Sequence, residues 1–271
     1  MSLLLCCAPV NAANDSSASV FYLSGDGFSS RSLHLDSTLD QQWLLGLGVA
    51  EDRETALGEP YAATSVSVAL QSMLESPWQF GMDVSRWRGQ DTVRADTFRL
   101  QVDYLFERVS AGIRWSSRDM TLTARSLDQG LLTREISADG YGLDLRWFVT
   151  DRIDVGARYT RFSYSRDLGF LNLQLRPVLL QILSFHTFGL INSLAEDDQV
   201  VDIYYTAERW RLGAYAAATR SAVDTAQTRA WAVLLDWFIR ENLTLQLESG
   251  AQSTESSDWS SQFGIGARFS W

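Results

Sequence analysis

Lysine is absent from this chain, so all 23 basic residues are arginine, and only 4 of the 271 residues are proline. Long apolar runs are missing too. No stretch of about eighteen uncharged apolar residues occurs, which argues against a transmembrane helix. The formal net charge of −10 argues against nucleic acid as a partner, because such partners select basic surfaces.

Cysteine is confined to the first residues of the chain, as Cys6 and Cys7. The opening MSLLLCCAPVNA has a short apolar core, Leu3 to Val10, followed by small residues that resemble a cleavage site. We therefore expect residues 1–12 to be a secretory signal peptide, truncated at its start because no basic residue precedes the apolar core. The mature domain, 13–271, would then be exported and would fold without disulfide bonds.

Alternation of apolar and polar residues is the dominant pattern after this opening. From Phe98 to Phe106, for example, every second residue is apolar and most of those between are polar or charged. Period-two alternation predicts β-strands that separate an apolar face from a polar one. Fourteen such segments are predicted, at 18–25, 30–38, 42–50, 63–73, 78–87, 95–106, 108–118, 138–149, 153–164, 199–207, 210–219, 228–238, 242–252 and 259–271.

The connections between these segments alternate between two kinds. One kind is tight, as at Leu39-Asp40-Gln41 and Thr150-Asp151-Arg152. The other kind is usually longer and polar: 51–62, 88–94, 119–137, 165–198, 220–227 and 253–258. The first connection of this kind, around Gly25–Ser29, is short. Short periplasmic turns and longer extracellular loops are typical of membrane β-barrels, whereas a soluble sandwich has no reason to sort its loops. The chain is therefore predicted to be an all-β, antiparallel, up-and-down transmembrane barrel of about fourteen strands.

Aromatic residues lie near both ends of the predicted strands, where the membrane interfaces would be. One group lies beside the short turns: Trp43, Trp78, Tyr104, Phe106, Trp147, Trp210, Trp237 and Trp271. A second group lies toward the other end: Trp87, Trp115, Tyr159, Trp231 and Trp259. Ordinary core aromatics are the alternative. The near absence of charge from the outward positions favours the membrane interpretation.

The chain ends in GIGARFSW, with alternating apolar residues and a terminal aromatic residue. This ending resembles the C-terminal assembly signal of Gram-negative outer-membrane β-barrels, although Trp271 stands where phenylalanine is usual. In strand number and size the chain is similar to small monomeric porins of the OmpG type. The resemblance implies an outer-membrane location, Phe269 and Trp271 as an assembly signal, and the barrel assembly machinery, lipid and lipopolysaccharide as partners.

Charged residues at inward positions are predicted to line the lumen of the barrel. Arg99, Arg114 and Arg158 fall about six or seven residues above the short turns, with Asp144 at a similar height. Asp202, Asp236 and Glu248 would form a carboxylate wall across the barrel. An arginine wall facing it would set up a transverse field across a water-filled pore. A lumen closed by Arg–Asp networks is the alternative. The predicted pore-lining set is Asp83, Arg99, Asp103, Arg114, Asp144, Arg146, Arg158, Asp202, Arg211, Asp236 and Glu248.

One predicted outer loop, 168–194, is unusually apolar. Pro177 is suited to open a helix, and the stretch after it is apolar on nearly all sides, so it must be buried. We expect it to fold into the lumen as a gate that places His186 near the mouth. The alternatives are that it lies on lipid at the rim or docks a partner protein.

Catalytic residues are scarce. Only His34 and His186 could serve as a histidine base. His34 is predicted to face the lumen as a pore-lining residue, and the polar groups of Ser32, His34 and Asp36 would lie too far apart along one strand for direct contact. No metal-ligand spacing and no glycine-rich phosphate loop occur, so no cofactor is predicted. The sequence thus predicts a non-enzymatic channel for passive diffusion of small hydrophilic solutes or ions. A barrel that docks a partner, and a lipid-directed hydrolase using His34, are the alternatives.

Overall fold

The computed structural model describes residues 16–26, 28–40, 42–56, 59–73, 76–89, 93–126, 130–165, 194–222, 225–255 and 258–271. These residues form fourteen β-strands. Their bounds are β1 Ser16–Gly25, β2 Phe28–Leu39, β3 Trp43–Ala56, β4 Glu59–Ser72, β5 Trp78–Gly89, β6 Val93–Leu105, β7 Val109–Ser126, β8 Gly130–Thr150, β9 Ile153–Tyr164, β10 Ala195–Thr206, β11 Trp210–Ser221, β12 Gln227–Arg240, β13 Leu243–Thr254 and β14 Ser260–Ser270.

The strands form one closed barrel in which each pairs antiparallel with its sequence neighbours. Closure comes from β1 and β14, whose register runs from Ser17 opposite Ser270 to Gly25 opposite Gln262. Beyond the last pair, the Trp271 amide donates to the Ser16 carbonyl at 3.0 Å. A closed barrel leaves no strand edge unpaired, which is what a segment surrounded by lipid requires. The predicted fourteen-strand barrel is confirmed.

The two ends of the barrel differ in their connections. We call the end that carries 40–42, 73–77, 106–108, 151–152, 207–209 and 241–242 the turn end, and the opposite end the loop end. Both ends of the described chain, Ser16 and Trp271, lie at the turn end. Asp40 in the first of these turns has a φ of 52°, a conformation that aspartate tolerates because its short side chain bonds locally.

The strands extend further toward the loop end than the alternation predicted. The predicted loop 51–62 is mostly strand, because β3 continues to Ala56 and β4 begins at Glu59. The predicted loop 119–137 likewise belongs mostly to β7 and β8. Both predictions were wrong. In 119–137 polar residues on the outward face hid an apolar inward face, as at Met120 and Ile136, and in 51–56 five of the six residues are polar, so no alternation is visible.

The outward face of the barrel is apolar and exposed across its middle. On β5 this stripe is Trp78, Phe80, Met82 and Val84, and on β8 it is Tyr141, Leu143, Leu145 and Trp147. So many exposed large apolar side chains identify a surface that faces lipid rather than water. At the loop end the stripe gives way to charge, at Arg86 on β5 and at Asp139 on β8. This change marks the outer border of the apolar belt.

One member of the predicted outward aromatic set is inward. Trp87 is only 7% exposed and lies inside the barrel. The reason is parity. The outward residues of β5 are even-numbered, from Trp78 to Val84, and the strand continues to Gly89 without a bulge, so residue 87 must point inward.

Within the described residues, no helix is long and apolar enough to cross a membrane. The predicted signal peptide at 1–12 lies outside the part of the chain that the structure describes, and so do Pro177 and His186 of the predicted gating loop.

Candidate functional site

The half of the interior nearer the turn end carries a network of charged side chains on β5 to β8, which we call the charged ladder: Asp83, Arg99, Gln101, Asp103, Arg114 and Asp144. The Arg99 guanidinium lies 3.6 Å from the Asp83 carboxylate on the neighbouring strand. Arg114 Nη2 donates to Gln101 Oε1 at 2.9 Å and to Asp144 Oδ1 at 3.0 Å. The ladder therefore pairs opposite charges from strand to strand around the wall.

Register explains part of this pairing. Asp83 and Arg99 stand opposite each other on β5 and β6, and Asp144 stands opposite Arg158 on β8 and β9. Directly opposed side chains on one face of an antiparallel pair lie close enough to interact. Arg114 reaches Asp144 diagonally, since the residue opposite Arg114 is Gly142. A glycine at that inward position leaves room for the long arginine side chain.

A second network on β8 to β11 centres on Arg146, which bonds to two carboxylates. One guanidinium nitrogen contacts Asp154, and the other donates to Asp202 Oδ1 at 2.9 Å. Arg211 Nη2 lies 3.8 Å from Asp154, and the Arg211 guanidinium lies 4.0 Å from the centre of the Tyr204 ring. This cluster, the Arg146 hub, is more deeply buried than the ladder, because the Asp202 side chain is only 6% exposed.

The remaining inward carboxylates have hydrogen-bond partners that are neutral. Gln246 Nε2 donates to Asp236 at 3.1 Å, and Glu248 accepts from the Tyr215 hydroxyl and from Gln262 Nε2, each at 3.4 Å. The prediction of a separate carboxylate wall that included Asp202 was wrong, because Asp202 pairs with Arg146. The two charge signs are mixed around β5 to β11 rather than set on opposite walls.

On β5 to β8, the interior nearer the loop end carries a row of apolar side chains. Trp87, Ala95, Met120 and Ile136 form one row across β5 to β8, since each stands opposite the next in register. All four are buried, with Met120 1% exposed and Ile136 2%. The guanidinium of Arg118, one row closer to the turn end, lies 4.4 Å from the centre of the Phe162 ring. On β5 to β8 the interior thus has an apolar outer zone and a charged inner zone, whereas other strands bring buried polar residues such as Thr219, Gln252 and Gln262 to the loop end.

Inward glycines mark places where a large side chain lies flat against the wall. A Cβ built on Gly156 would meet the Asp202 carboxylate and the Arg146 guanidinium, and one on Gly112 would meet Asp103. Sequence reasoning did not use these glycines. The sequence nevertheless indicates them, because each glycine falls at an inward position of a predicted strand and stands opposite a longer polar residue on the neighbouring strand.

The candidate hydrolase residue His34 lies inside the barrel rather than on the lipid-facing surface. Its ring lies over Gly48, whose built Cβ would stand 2.9 Å from His34 Nδ1 and 2.5 Å from Ser67 Oγ. Asp36 accepts a hydrogen bond from the Ser17 hydroxyl at 3.3 Å, and its carboxylate is attracted electrostatically to the Arg268 guanidinium. An inward position does not suit attack on membrane lipid. Among the described residues, no group of three or more His, Cys, Asp or Glu side chains is arranged to hold a metal ion.

The structure places every predicted pore-lining residue on an inward position of a strand. It brings most of them into the ladder and the hub, and it leaves Asp236 and Glu248 with the partners described above. The predicted pore-lining set left out Asp154, which the sequence places low in the lumen, and other inward residues that take part in these contacts: Gln101, Tyr204, Tyr215, Gln262 and Arg268. Phe269 and Trp271 lie at the end of the closing strand, with ring centres 6.0 Å apart.

Together, the closed antiparallel barrel and the lipid-facing belt define the class of an outer-membrane β-barrel protein. No protein-family model and no curated protein matches the chain. Solved structures do match. The CymD monoaromatic hydrocarbon channel aligns with a TM-score of 0.60 and 10% identity over 94% of this chain and 88% of that one. A loop L8 deletion mutant of OmpT, an outer membrane protein of Vibrio cholerae, aligns with a TM-score of 0.51 and 11% identity over 95% of this chain and 98% of the other. At these identities the likeness establishes the fold.

Proposed function

We propose that the protein is an outer-membrane channel through which small hydrophilic solutes or ions diffuse passively. The observation that carries this proposal is the charged inner zone, whose side chains keep part of their surface accessible. Arg99 is 27% exposed, Asp83 24% and Arg146 24%, although all three lie inside a barrel. A charged, partly accessible lining is what an aqueous path through a membrane requires.

The size of the barrel is consistent with this role. Interiors of eight-stranded barrels are filled by side chains, whereas barrels of sixteen or more strands leave an aqueous channel. A barrel of fourteen strands lies between these cases, so whether a water-filled path crosses it depends on which side chains occupy the interior. Because Arg and Asp are paired around the wall, the lining offers both donors and acceptors, which suits small polar solutes more than ions of one sign.

The apolar outer zone favours a second candidate, a channel for small apolar or amphipathic solutes. Trp87, Met120 and Ile136 form an apolar row between the loop end and the charged ladder, and an apolar solute that displaced the side chains covering this row would meet apolar surface there. The name of CymD, a monoaromatic hydrocarbon channel, points to the same class of solute. Liposomes that contain the protein distinguish the candidates, because swelling in a sugar or amino acid supports the first and selective uptake of a small aromatic compound supports the second.

The other hypotheses have less support. The hydrolase hypothesis is weakened by the inward position of His34. The gating and partner-docking hypotheses concern 177–194, most of which lies outside the described residues, and they stay predictions.

The test of the channel is planar-bilayer recording with a charge reversal in the ladder. Arg114→Glu replaces the cation between Gln101 and Asp144 with an anion, so we expect the reversal potential in a salt gradient to shift toward cation selectivity. Arg88→Glu is the matched control, because Arg88 lies on the outward face near the loop end and its reversal leaves the lining unchanged. Absence of stepwise conductance from the folded wild-type protein would contradict the proposal, as would equal shifts in the two variants.

A further inference from the structure

The inward face of β1 to β5 differs in charge from the rest of the interior. Among the described residues it carries Asp36, Asp52 and Asp83 and no arginine. The arginines of these five strands all stand at outward, exposed positions: Arg31, Arg53, Arg86 and Arg88. Inward arginines begin with Arg99 on β6. We call the inward face of β1 to β5 the arginine-free wall.

The middle of the arginine-free wall carries small side chains that are partly exposed. The inward positions of β3 and β4 hold Ala50, Ser65, Ser67 and Ala69, and each of the four keeps part of its surface accessible. On β7, in contrast, the inward Ser116 is only 1% exposed. Because small inward residues are accessible on one side of the barrel and covered on the other, the free space of the interior lies against the arginine-free wall.

Two carboxylates on this wall, Asp36 and Asp52, form no ion pair with a described residue. The hydrogen-bond partner of Asp52 is the Ser30 hydroxyl on β2. Asp36 is 9% exposed and accepts from the Ser17 hydroxyl through Oδ2, whereas its Oδ1 is buried without a hydrogen-bond partner among the described residues. Arg268 attracts Asp36 from β14, across β1, but does not bond to it. A carboxylate removed from water in this way is costly unless a cation or further donors compensate.

The two unpaired carboxylates stand at the two ends of the accessible stretch. Asp36 lies opposite Gly46, and a Cβ built on Gly46 would be 3.2 Å from Asp36 Oδ1, so the unpartnered oxygen faces β3 where that strand has no side chain. Asp52 lies on β3 itself, about 20 Å from Gly46 toward the loop end at the usual rise of a strand. A solute that crosses the barrel along this wall therefore meets Asp52 near one end and Asp36 near the other.

We propose that the solute path follows the arginine-free wall and that Asp52 and Asp36 select small solutes that carry an ammonium group. The inference rests on the proposed channel and names the class of solute that it passes. Arg114 and Arg146 are already bonded to carboxylates, so the charge that a solute meets along the path comes from the wall itself. Carboxylates along a pore favour cations. An ammonium group has three donors, so it can bond to a carboxylate and to the neighbouring serine hydroxyls together.

The first test measures the charge preference of the protein in planar bilayers. A gradient of ethanolammonium glycolate is used at about pH 8, where histidine is ordinarily neutral. The reversal potential then gives the permeability of the ammonium cation relative to a carboxylate anion of similar size. We expect the wild type to favour the cation. Asp36→Asn with Asp52→Asn keeps the shape of both side chains and removes both charges, so it should lower the permeability ratio about threefold or more.

The matched control is Asp119→Asn with Asp139→Asn, which removes two carboxylates at outward, exposed positions of β7 and β8 and should leave the ratio unchanged. Heat-modifiable migration verifies that each variant is folded. A wild type that favours glycolate would overturn the inference, as would equal ratios in the wild type and the Asp36 and Asp52 variant, and either result leaves the channel proposal standing. Absence of stepwise conductance from the folded wild type would contradict both proposals.

The second test locates the path with single cysteines. Cys6 and Cys7 are the only cysteines of the sequence, so both are first replaced by serine. Ser67→Cys on the arginine-free wall should react with a methanethiosulfonate reagent that carries a trimethylammonium group, and the conductance should then fall. Ser116→Cys is the matched control, because it is inward but buried, and it should not respond. An equal response of the two variants, or no response of Ser67→Cys, would overturn the assignment of the path to this wall.

Discussion

At the scale of single residues, the interior is organised by pairing rather than by separation of charge. A buried ion inside a protein is costly unless a partner of opposite charge and further hydrogen bonds compensate for lost water. Arg146 meets this condition twice, through Asp154 and Asp202. The nearby Gly156 leaves the space that these side chains fill. The same residues therefore stabilise the barrel and line its interior.

Replacing the centre of this hub tests that link. Arg146→Met should lower the free energy of unfolding by about 3 kcal/mol, because it leaves the buried Asp202 carboxylate without its cation. Urea unfolding in lipid vesicles measures the change, and adding Asp202→Asn should restore part of it. Arg53→Met is the control, since Arg53 is 57% exposed and pairs with Glu51 on the surface. A loss for Arg146→Met no larger than that for Arg53→Met would show that the hub does not stabilise the barrel.

At the scale of elements, β14 is the strand on which the closed barrel depends most, because it completes the ring by pairing with β1. Its outward residues, Phe263, Ile265 and Phe269, face lipid, while the glycines between them, Gly264 and Gly266, lie against the inward Phe21 of β1. The alternation at the end of the chain therefore serves two surfaces at once. A defect in this strand exposes two strand edges, which lipid cannot satisfy.

The assembly role of this strand is a prediction that the fold motivates. Phe269→Asp puts a charge on the lipid-facing stripe, and deletion of Trp271 removes the hydrogen bonds to Ser16. Both changes should leave the chain in the periplasm, as measured by cell fractionation. Ser270→Asp alters the adjacent residue, which points away from lipid, and should still insert. Normal insertion of all three variants would limit the ending to a structural role.

At the scale of the whole molecule, the barrel reverses the usual arrangement of a soluble protein. Its large apolar side chains are exposed outward, and most of its charged groups in the membrane region point inward. Such a molecule is stable only where hydrocarbon surrounds the belt. The closed hydrogen-bond network then makes unfolding cooperative, because no strand can leave without opening the ring.

This arrangement predicts heat-modifiable migration. Unboiled protein in dodecyl sulfate should run as a compact form, and boiling should convert it to a slower band just below the 30.4 kDa of the full chain, because residues 1–12 are predicted to be removed. Circular dichroism of the unboiled form should show β-structure. A monomer that stays soluble without detergent would contradict the membrane assignment.

The sequence alone determined the number of strands, their antiparallel order and the face on which most residues lie. The physical reason is that a strand exposes its side chains with period two, and lipid on one side makes that period visible as alternation. The inward position of Trp87 could also be predicted, because Trp87 is an odd number of residues from the outward Trp78 on the same strand. Its misplacement came from weighting its residue type above its position.

Only the tertiary structure decided which residues meet. Ion pairs such as Arg146 with Asp202 join residues far apart in the sequence, and they depend on register, which a one-residue slip would change completely. The outer ends of β7 and β8 pair above the belt, where lipid no longer imposes the outward half of the pattern. Ala157, Ala216 and Ala218 show the same dependence. They are ordinary small residues along the chain, and they form the floor of a depression only because longer side chains on neighbouring strands stand beside them.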